Sequence, residues 1–278
     1  MKAVNGLRVG WGESTYDVDP AWGGTEFGAV TSVTSSPSGR LYVCHRSRPA
    51  VVVMDRTGSR IGALGEGEVV DPHGITTDAR GNVYVADRDR HLVWIFGPDG
   101  RLVGELGTRD QAAPEAPFNH PADVAVADDG TIFVADGYGN SRVHIFTADG
   151  RHLRSWGTPG RGPSQFRVPH GIAVDSENRV YVTDRENDRV QVFDTAGALL
   201  SVWEDFKGPT DVCIDGRQRV IVTDHVPRVT LLDQSGRVLV TMRAYHDTHG
   251  VCCDAEGNIY VASTAGRAVI KYSPVTKA

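Results

Sequence analysis

Long apolar runs are absent from this 278-residue sequence. No stretch approaches the ~18 apolar residues of a membrane-spanning helix, and residues 1–30 contain no apolar segment of signal-peptide length. Basic clusters are missing too, since 29 Lys and Arg residues stand against 35 Asp and Glu residues, for a net charge of -6. An acidic chain without a basic block lacks the electrostatic footprint of a nucleic-acid or membrane-surface binder. The sequence therefore predicts neither a nucleic-acid nor a membrane partner.

Cysteine is scarce as well. The four cysteines lie in apolar, strand-like runs, with no CxxC motif and no knottin-like spacing: Cys44, Cys213, Cys252 and Cys253. This pattern excludes a disulfide framework and favours small buried hydrophobic residues. Reduced thiols and the missing targeting segment predict a cytoplasmic protein.

Glycine, in contrast, is abundant. The chain has 32 glycines, whereas an average protein of this length has about 20. They are spread along the whole sequence, which predicts many tight turns in a repeated pattern. With 40% hydrophobic residues the chain can also fill a sizeable core, so wholesale disorder is excluded.

The sequence contains six copies of one unit. The segment HGITTDARGNVYVADRDRHLVWIF realigns with HGIAVDSENRVYVTDRENDRVQVF. Aligning all units on the apolar or aromatic residue of the second strand gives six anchors: Tyr42, Tyr84, Phe133, Tyr181, Ile221 and Tyr260. Each unit of about 40–49 residues holds four short alternating strands bounded by turn residues. This period predicts an all-β protein, a six-bladed β-propeller.

The two ends of the chain predict how the ring closes. The sixth unit stops after its third strand, and the N-terminal LRVGWG (residues 7–12) is similar to LRSWG (residues 153–157), the fourth strand of the third unit. We therefore expect residues 7–12 to complete the last blade, which leaves no exposed sheet edge. Residues 1–278 then form a single catalytic domain.

The repeat places three histidines in register. Eleven residues before the successive anchors stand Thr31, His73, Ala122, His170, Thr210 and His249. Since the innermost strand of each blade lines the central channel, histidines of blades two, four and six converge from directions ~120° apart. One such histidine alone is usually a core residue, but three in register with an open position favour a catalytic zinc site.

The loop after the second strand returns to the same end of the channel. Four residues past the anchors stand Arg46, Arg88, Gly137, Arg185, His225 and Thr264, and Tyr138 follows Gly137. We therefore expect arginines and a tyrosine around the three-histidine centre. For Arg88, which precedes Asp89, the sequence favours a surface ion pair.

The repeat resembles the NHL repeat over nearly the whole chain. The chain resembles the peptidyl-α-hydroxyglycine α-amidating lyases: DGYGNSR (residues 136–142) is similar to a DGYCNSR segment of that family, and FRVPHG (residues 166–171) and PHGI (residues 72–75) to its zinc-histidine segments. The resemblance implies these site residues: metal ligands His73, His170 and His249, and catalytic residues Tyr138, Arg46 and Arg185.

The resemblance also implies a reaction. An α-hydroxyglycine-type hemiaminal (carbinolamide) binds Zn²⁺ through its hydroxyl, Tyr138 accepts the hydroxyl proton, and the N–C bond breaks to give an amide or amine and a glyoxylate-like product. The implied partner is a small-molecule substrate that bears a carboxylate, which an arginine holds. The family also holds a structural Ca²⁺ through an acid after its third histidine, and Gly250 stands there in this chain.

Two other functions stay open at this point. The chain fits a non-catalytic NHL-propeller interaction scaffold, although the alternate-blade histidines have no role in that interpretation. It also fits a metal-dependent hydrolase or lactonase of the six-bladed type. Sites of that type rely on carboxylates and Asn for a hard ion, whereas three imidazoles suit Zn²⁺.

Overall fold

The computed structural model describes residues 7–24 and 26–275, so the two ends of the predicted 1–278 domain lie outside the described residues. In the described ranges the chain forms short strands and one turn of 3₁₀ helix, Arg185–Asn187. No helix in those ranges is long and apolar enough to cross a membrane. Six antiparallel sheets of four or five strands form the six blades, which confirms the predicted all-β propeller.

The strands are numbered in chain order. The first two are β1 (Arg8–Trp11) and β2 (Ser14–Asp19). Blade one contains β3 (Val30–Ser35), β4 (Leu41–His45), β5 (Val51–Met54) and β6 (Arg60–Leu64). Blade two contains β7 (Pro72–Thr77), β8 (Val83–Asp87), β9 (Leu92–Phe96) and β10 (Leu102–Gly107). Blade three contains β11 (Asp123–Val126), β12 (Ile132–Asp136), β13 (Arg142–Phe146) and β14 (His152–Trp156).

Two short parallel strands, β15 (Thr158–Pro159) and β16 (Gln165–Phe166), precede blade four. Blade four contains β17 (Pro169–Val174), β18 (Arg179–Asp184), β19 (Arg189–Asp194) and β20 (Leu199–Trp203). Blade five contains β21 (Pro209–Ile214), β22 (Val220–Asp224), β23 (Arg228–Leu232) and β24 (Val238–Arg243). Blade six contains β25 (Val251–Cys253), β26 (Ile259–Ser263) and β27 (Ala268–Pro274).

In blades two, four and six a turn aspartate and the anchor tyrosine fix the register. In blade four, Asp175 Oδ1 accepts the backbone N–H groups of Glu177 and Arg179 at 2.9 Å each, and Tyr181 donates its hydroxyl to Asp175 Oδ2 at 2.8 Å. Two further tyrosine–aspartate pairs repeat this contact: Tyr84 with Asp78 and Tyr260 with Asp254. The side chain thus ties the turn to the second strand.

The aspartate that ends the second strand holds the start of the inner strand. Asp87 is fully buried and accepts the backbone N–H groups of Val70 and Asp71 at 2.8 and 3.0 Å. Equivalent contacts join three other pairs: Asp136 with Asn119, Asp184 with Arg167, and Asp224 with Lys207. The aspartate that ends the YVAD, FVAD, YVTD or IVTD sequence therefore positions the strands that line the channel.

The predicted closure of the ring by the N-terminal segment in the last blade is confirmed, but the strand that takes the fourth place differs from the predicted one. β2 pairs with β27 as the fourth strand, and β1 adds a fifth strand outside β2. The prediction that residues 7–12 form the fourth strand was wrong. β2 takes that place because Tyr16 and Val18 alternate with polar residues and are buried, whereas Trp11 in β1 is 85% exposed.

All four cysteines are free, as the sequence predicts. Cys44 and Cys252 are buried, and Cys213 and Cys253 are half-buried. The sulfur atoms of Cys213 and Cys253 lie 3.6 Å apart on the inner strands of blades five and six.

Candidate metal centre

Three histidines meet at one end of the channel. His73 lies in β7, His170 in β17, and His249 just before β25. The pairing of β7 with β8 shifts register between Pro72 and Gly74, and that of β17 with β18 is irregular around His170. Such bulges redirect a side chain out of the regular ladder, and here they accompany imidazoles that converge on one point.

The three imidazoles form a nearly equilateral triangle. The ring centroids are 4.7 Å apart for His73 and His170, 4.8 Å for His73 and His249, and 4.9 Å for His170 and His249. One nitrogen of each ring lies within 4.8 Å of the other two. The structure therefore brings the three predicted ligands together.

A main-chain carbonyl of the following blade orients each imidazole. The Nδ1 atom of His73 lies 2.8 Å from the carbonyl oxygen of Ala122, and that of His249 lies 2.7 Å from the carbonyl oxygen of Thr31. The Nδ1 atom of His170 bonds the carbonyl of Thr210 in the same way. Since a carbonyl only accepts, each Nδ1 carries the hydrogen and each Nε2 keeps a free lone pair. Histidines that bind metals are commonly held like this through the other nitrogen.

Burial keeps the three rings neutral. Desolvation lowers the pKa of His73 and of His170 well below the usual value, and the charges of neighbouring histidines add to this effect. Desolvation also lowers the pKa of His249 to about 4. At neutral pH the centre thus presents three unprotonated Nε2 atoms. Three neutral nitrogens with an open fourth position fit a transition-metal ion.

A glycine follows each histidine because the following blade leaves no room for a side chain. A Cβ on Gly74 would lie 2.6 Å from the Cα of Asp123, and one on Gly171 would lie 2.6 Å from the Cα of Asp211. At Gly250 the corresponding distance, to the Cα of Ser32, is 2.7 Å. The His-Gly pair is therefore one structural unit, in which glycine admits the neighbouring inner strand.

Next to the histidines the channel carries two buried carboxylates, Asp123 of blade three and Asp211 of blade five. They accept the backbone N–H groups of Ile172 and Val251 at 2.9 and 2.8 Å. Burial raises the pKa of Asp123 well above its ordinary value and that of Asp211 to about 7. These acids come from blades three and five, whereas Gly250 stands at the position where the resembling family carries the acid that helps to hold its structural Ca²⁺.

Tyr138 lies against the histidine triangle. A Cβ on the preceding Gly137 would lie 1.9 Å from the carbonyl oxygen of Pro169, so only glycine lets this loop pass so close to blade four. The hydroxyl oxygen of Tyr138 lies 2.8 Å from Nε2 of His73 and 3.0 Å from Nε2 of His170. The hydroxyl therefore faces the two nitrogens that would bind a metal.

Arg185 reaches Tyr138 from blade four. Its Nη1 donates to the tyrosine oxygen at 3.2 Å, and its Cζ lies 5.3 Å from the centroid of the tyrosine ring. Arg46 is placed differently. Its Nε donates to Asp71 Oδ1 at 3.2 Å, and its side chain is 42% exposed. Of the two predicted arginines, the structure thus brings Arg185 onto Tyr138 and places Arg46 on an aspartate at the rim.

Sequence reasoning missed Arg88 and Asp71. The predicted pair of Arg88 with Asp89 exists at 3.2 Å, but Arg88 also pairs with Asp71 at 2.7 Å, and its Cζ lies 5.5 Å from the ring centroid of Tyr138. The shared register of Arg88 with Arg46 and Arg185 was a signal for Arg88. The sequence gives no such signal for Asp71, because its contact with Arg46 forms only when blade one packs beside blade two.

Fold and site together define a six-bladed β-propeller with a candidate three-histidine metal centre. The NHL repeat model matches residues 70–96, 118–146 and 166–193. NHL repeat-containing protein 3 of Homo sapiens is 31% identical over 176 residues, which cover 57% of this chain and 51% of that protein. The Caenorhabditis elegans protein named "Probable peptidyl-alpha-hydroxyglycine alpha-amidating lyase pgal-1" is 34% identical over 167 residues, which cover 53% of this chain and 47% of that protein.

The chain carries NHL repeats and resembles the peptidyl-α-hydroxyglycine α-amidating lyases, as the sequence predicts. It spans about half the length of the curated relatives it matches. Among solved structures, a gluconolactonase from Xanthomonas campestris matches with a TM-score of 0.78 and 14% identity, over 98% of this chain and 96% of that one. At this identity the match shows the fold alone.

Proposed function

We propose that this protein is a zinc-dependent carbon–nitrogen lyase. Its substrate would be an α-hydroxyglycine-type hemiaminal, and its products an amide or amine and a glyoxylate-like carbonyl compound. The observation that carries the proposal is the meeting of three neutral histidines with Tyr138 and Arg185 at one end of the channel. The similarity to amidating lyases supports the same reaction class.

The histidines His73, His170 and His249 would hold the metal. Three nitrogen ligands with an open position suit Zn²⁺, which supplies a Lewis acid that makes a bound hydroxyl group more acidic. The donor set fits this ion, because all three Nε2 atoms are unprotonated and each Nδ1 is already occupied by a carbonyl.

Tyr138 would move the proton. Its oxygen lies about 3 Å from Nε2 of His73 and of His170. A substrate hydroxyl bound at the histidine centre would therefore be within hydrogen-bond distance of Tyr138. When the phenolate form of Tyr138 accepts the hydroxyl proton, the electrons of the substrate oxygen form the new C=O bond and the C–N bond breaks. The proton then passes to the leaving nitrogen, so the reaction is balanced without a redox partner. Arg185 donates to the tyrosine oxygen and stabilises negative charge on it.

The test is glyoxylate release. Zinc-loaded protein should release glyoxylate from N-acyl-α-hydroxyglycines, measured as its hydrazone. Tyr138→Phe should keep the metal and lose turnover by about 10²–10⁴-fold, the usual contribution of a general base. If Tyr138→Phe turns over like the wild type, the assignment of the base is wrong. If the wild type releases no glyoxylate from any of these compounds, the reaction is wrong.

The alternatives predict other outcomes. An interaction scaffold would bind no stoichiometric metal and release no glyoxylate. A lactonase would open sugar lactones, which a pH-stat detects, and would be indifferent to α-hydroxyglycines. The three-histidine centre favours the lyase over both, because a scaffold has no use for it and a hard ion prefers oxygen ligands.

A further inference from the structure

Asp71 binds two arginines from two blades at the rim of the metal centre. Its Oδ1 accepts from Nε of Arg46 at 3.2 Å, and its Oδ2 lies 2.7 Å from Nη2 of Arg88. The main chain holds the same group together, because the backbone N–H of Arg88 donates to the carbonyl of Asp71 at 3.0 Å. The Asp71 side chain is only 11% exposed. One buried carboxylate therefore holds both guanidinium groups in place.

These contacts leave part of each guanidinium free for a ligand. A guanidinium has five N–H donors, and the ion pairs engage Nε of Arg46 and Nε and Nη2 of Arg88. Asp89, the second partner of Arg88, is 54% exposed, so solvent screens its charge. The side chains of Arg46 and Arg88 are 42% and 26% exposed, so the remaining donors can reach a molecule at the channel mouth.

Arg88 of this pair also lies next to the reacting groups. The Cζ of Arg88 lies 5.5 Å from the ring centroid of Tyr138, which in turn contacts His73 and His170. Arg88 approaches this ring from blade two, whereas Arg185 approaches it from blade four. A small molecule on the histidines would therefore lie near Arg88 of blade two and Arg185 of blade four, and Arg46 is joined to Arg88 through Asp71.

We propose that Arg46 and Arg88, held by Asp71, form an anion clamp that binds the carboxylate of the substrate. Arg88 would be a specificity-determining residue and Asp71 a positioning residue that fixes the two guanidinium planes. Fixed guanidinium groups recognise planar carboxylates through paired hydrogen bonds. The identity of the substrate rests on the proposed lyase function, whereas binding of a carboxylate at this place does not.

The experiment measures binding rather than turnover. N-Acetylglycine, which has the carboxylate but lacks the reacting hydroxyl, is titrated into metal-free protein by ligand-observed NMR, with N-acetylglycinamide as the probe without a carboxylate. We expect N-acetylglycine to bind more tightly than the amide. Arg88→Gln and Arg46→Gln should each weaken its binding by about tenfold, as for loss of a charge-assisted hydrogen bond. The control is Arg101→Gln, since Arg101 is 87% exposed and, among the residues that the structure describes, forms an ion pair with Asp99 alone; it should bind like the wild type.

Several results would overturn the clamp. They are equal affinity in Arg88→Gln and the wild type, equal affinity for the two probes, and loss of affinity in Arg185→Gln alone. Thermal melts check that each variant folds; if Arg88→Gln does not, Arg88→Lys, which keeps the charge but not the planar fork, carries the test and should bind N-acetylglycine more weakly than the wild type. Normal probe binding without glyoxylate release from the zinc-loaded protein would overturn the lyase and leave the clamp standing. If the zinc-loaded wild type releases glyoxylate but Arg88→Gln binds the probe like the wild type, the clamp would be overturned and the lyase would stand.

Discussion

The even-numbered and odd-numbered blades share one four-strand framework but differ at two adjacent positions of the inner strand. Even blades carry histidine and then glycine: His73 with Gly74, His170 with Gly171, and His249 with Gly250. Odd blades carry a small residue and then a polar one: Thr31 with Ser32, Ala122 with Asp123, and Thr210 with Asp211. Each odd blade supplies the carbonyl that orients the preceding histidine and the residue that packs over the preceding glycine. The six blades thus form three pairs, each of an even blade and the odd blade that follows it. The candidate metal ligands lie at the inner-strand position where even and odd blades differ in sequence.

The largest effect should be loss of bound metal when one histidine of the even-numbered blades is removed. His170→Ala leaves two imidazoles, so we expect bound zinc to fall from about one ion per chain to near zero after dialysis, measured by elemental analysis. The matched odd-blade variant is Thr210→Ser, which keeps the carbonyl that orients His170 and should keep the metal. Unchanged metal content in His170→Ala would show that the histidines are only core residues.

The next largest effect should come from the glycine of an even blade. Gly171→Ala places a Cβ 2.6 Å from the Cα of Asp211, so we expect a loss of about 3 kcal/mol in the free energy of unfolding, measured with urea. Gly216→Ala is the control, since a Cβ there meets nothing within 4 Å, and it should change stability by less than about 0.5 kcal/mol. Similar losses in both variants would mean that the close packing of blades four and five is not what requires glycine.

The odd blades should show a pH dependence of their own. Burial raises the pKa of Asp211 from 3.8 to about 7, so between these values the folded protein holds a proton that the unfolded chain releases. Stability from this group is therefore present at low pH and is lost as the pH rises through 7. Asp211→Asn removes the titration, and its stability relative to the wild type should improve by roughly 2 kcal/mol between pH 5 and pH 7 in metal-free protein.

The control for this pH dependence is Thr210→Ser, which changes the residue next to Asp211 without adding or removing a titratable group. Its stability relative to the wild type should stay constant over the same interval in urea unfolding. A flat profile for Asp211→Asn would show that this carboxyl group titrates alike in the folded and unfolded chains.

The smallest effect should come from an odd-blade side chain that hydrogen-bonds the main chain of an even blade. Thr31 Oγ1 donates to the carbonyl of Pro72 at 2.7 Å. Thr31→Val should therefore lower the free energy of unfolding by about 1 kcal/mol, the value of one hydrogen bond. Metal content should not change, because the carbonyl of residue 31 still orients His249. Loss of metal in this variant would show that the hydroxyl group, too, supports the centre.

The repeat made much of this comparison predictable. Aligning the anchors was enough to put His73, His170 and His249 at equivalent inner-strand positions, because side chains at equivalent positions share a direction. The carbonyl partners of the imidazoles could not be predicted, since main-chain atoms leave no mark in the sequence. The role of Asp71 could not be predicted either, because its two arginine partners lie on different blades and the sequence does not show which loops of neighbouring blades meet. The strand that closes the ring was misassigned because Ser14–Asp19 is half polar, and the similarity of residues 7–12 to an outer strand was the stronger pattern.

The closure of the ring has a consequence for assembly of the chain. Blade six joins β2 to β27, and across this seam His249 bonds the carbonyl of Thr31, 218 positions away in the sequence. The histidine triangle is therefore complete only after the last blade has met the first. A metal ion that needs all three histidines would select the closed ring, and each tenfold rise in free metal above its dissociation constant would oppose opening of the seam by about 1.4 kcal/mol. The ion would therefore stabilise the closed ring in addition to its role in the proposed reaction.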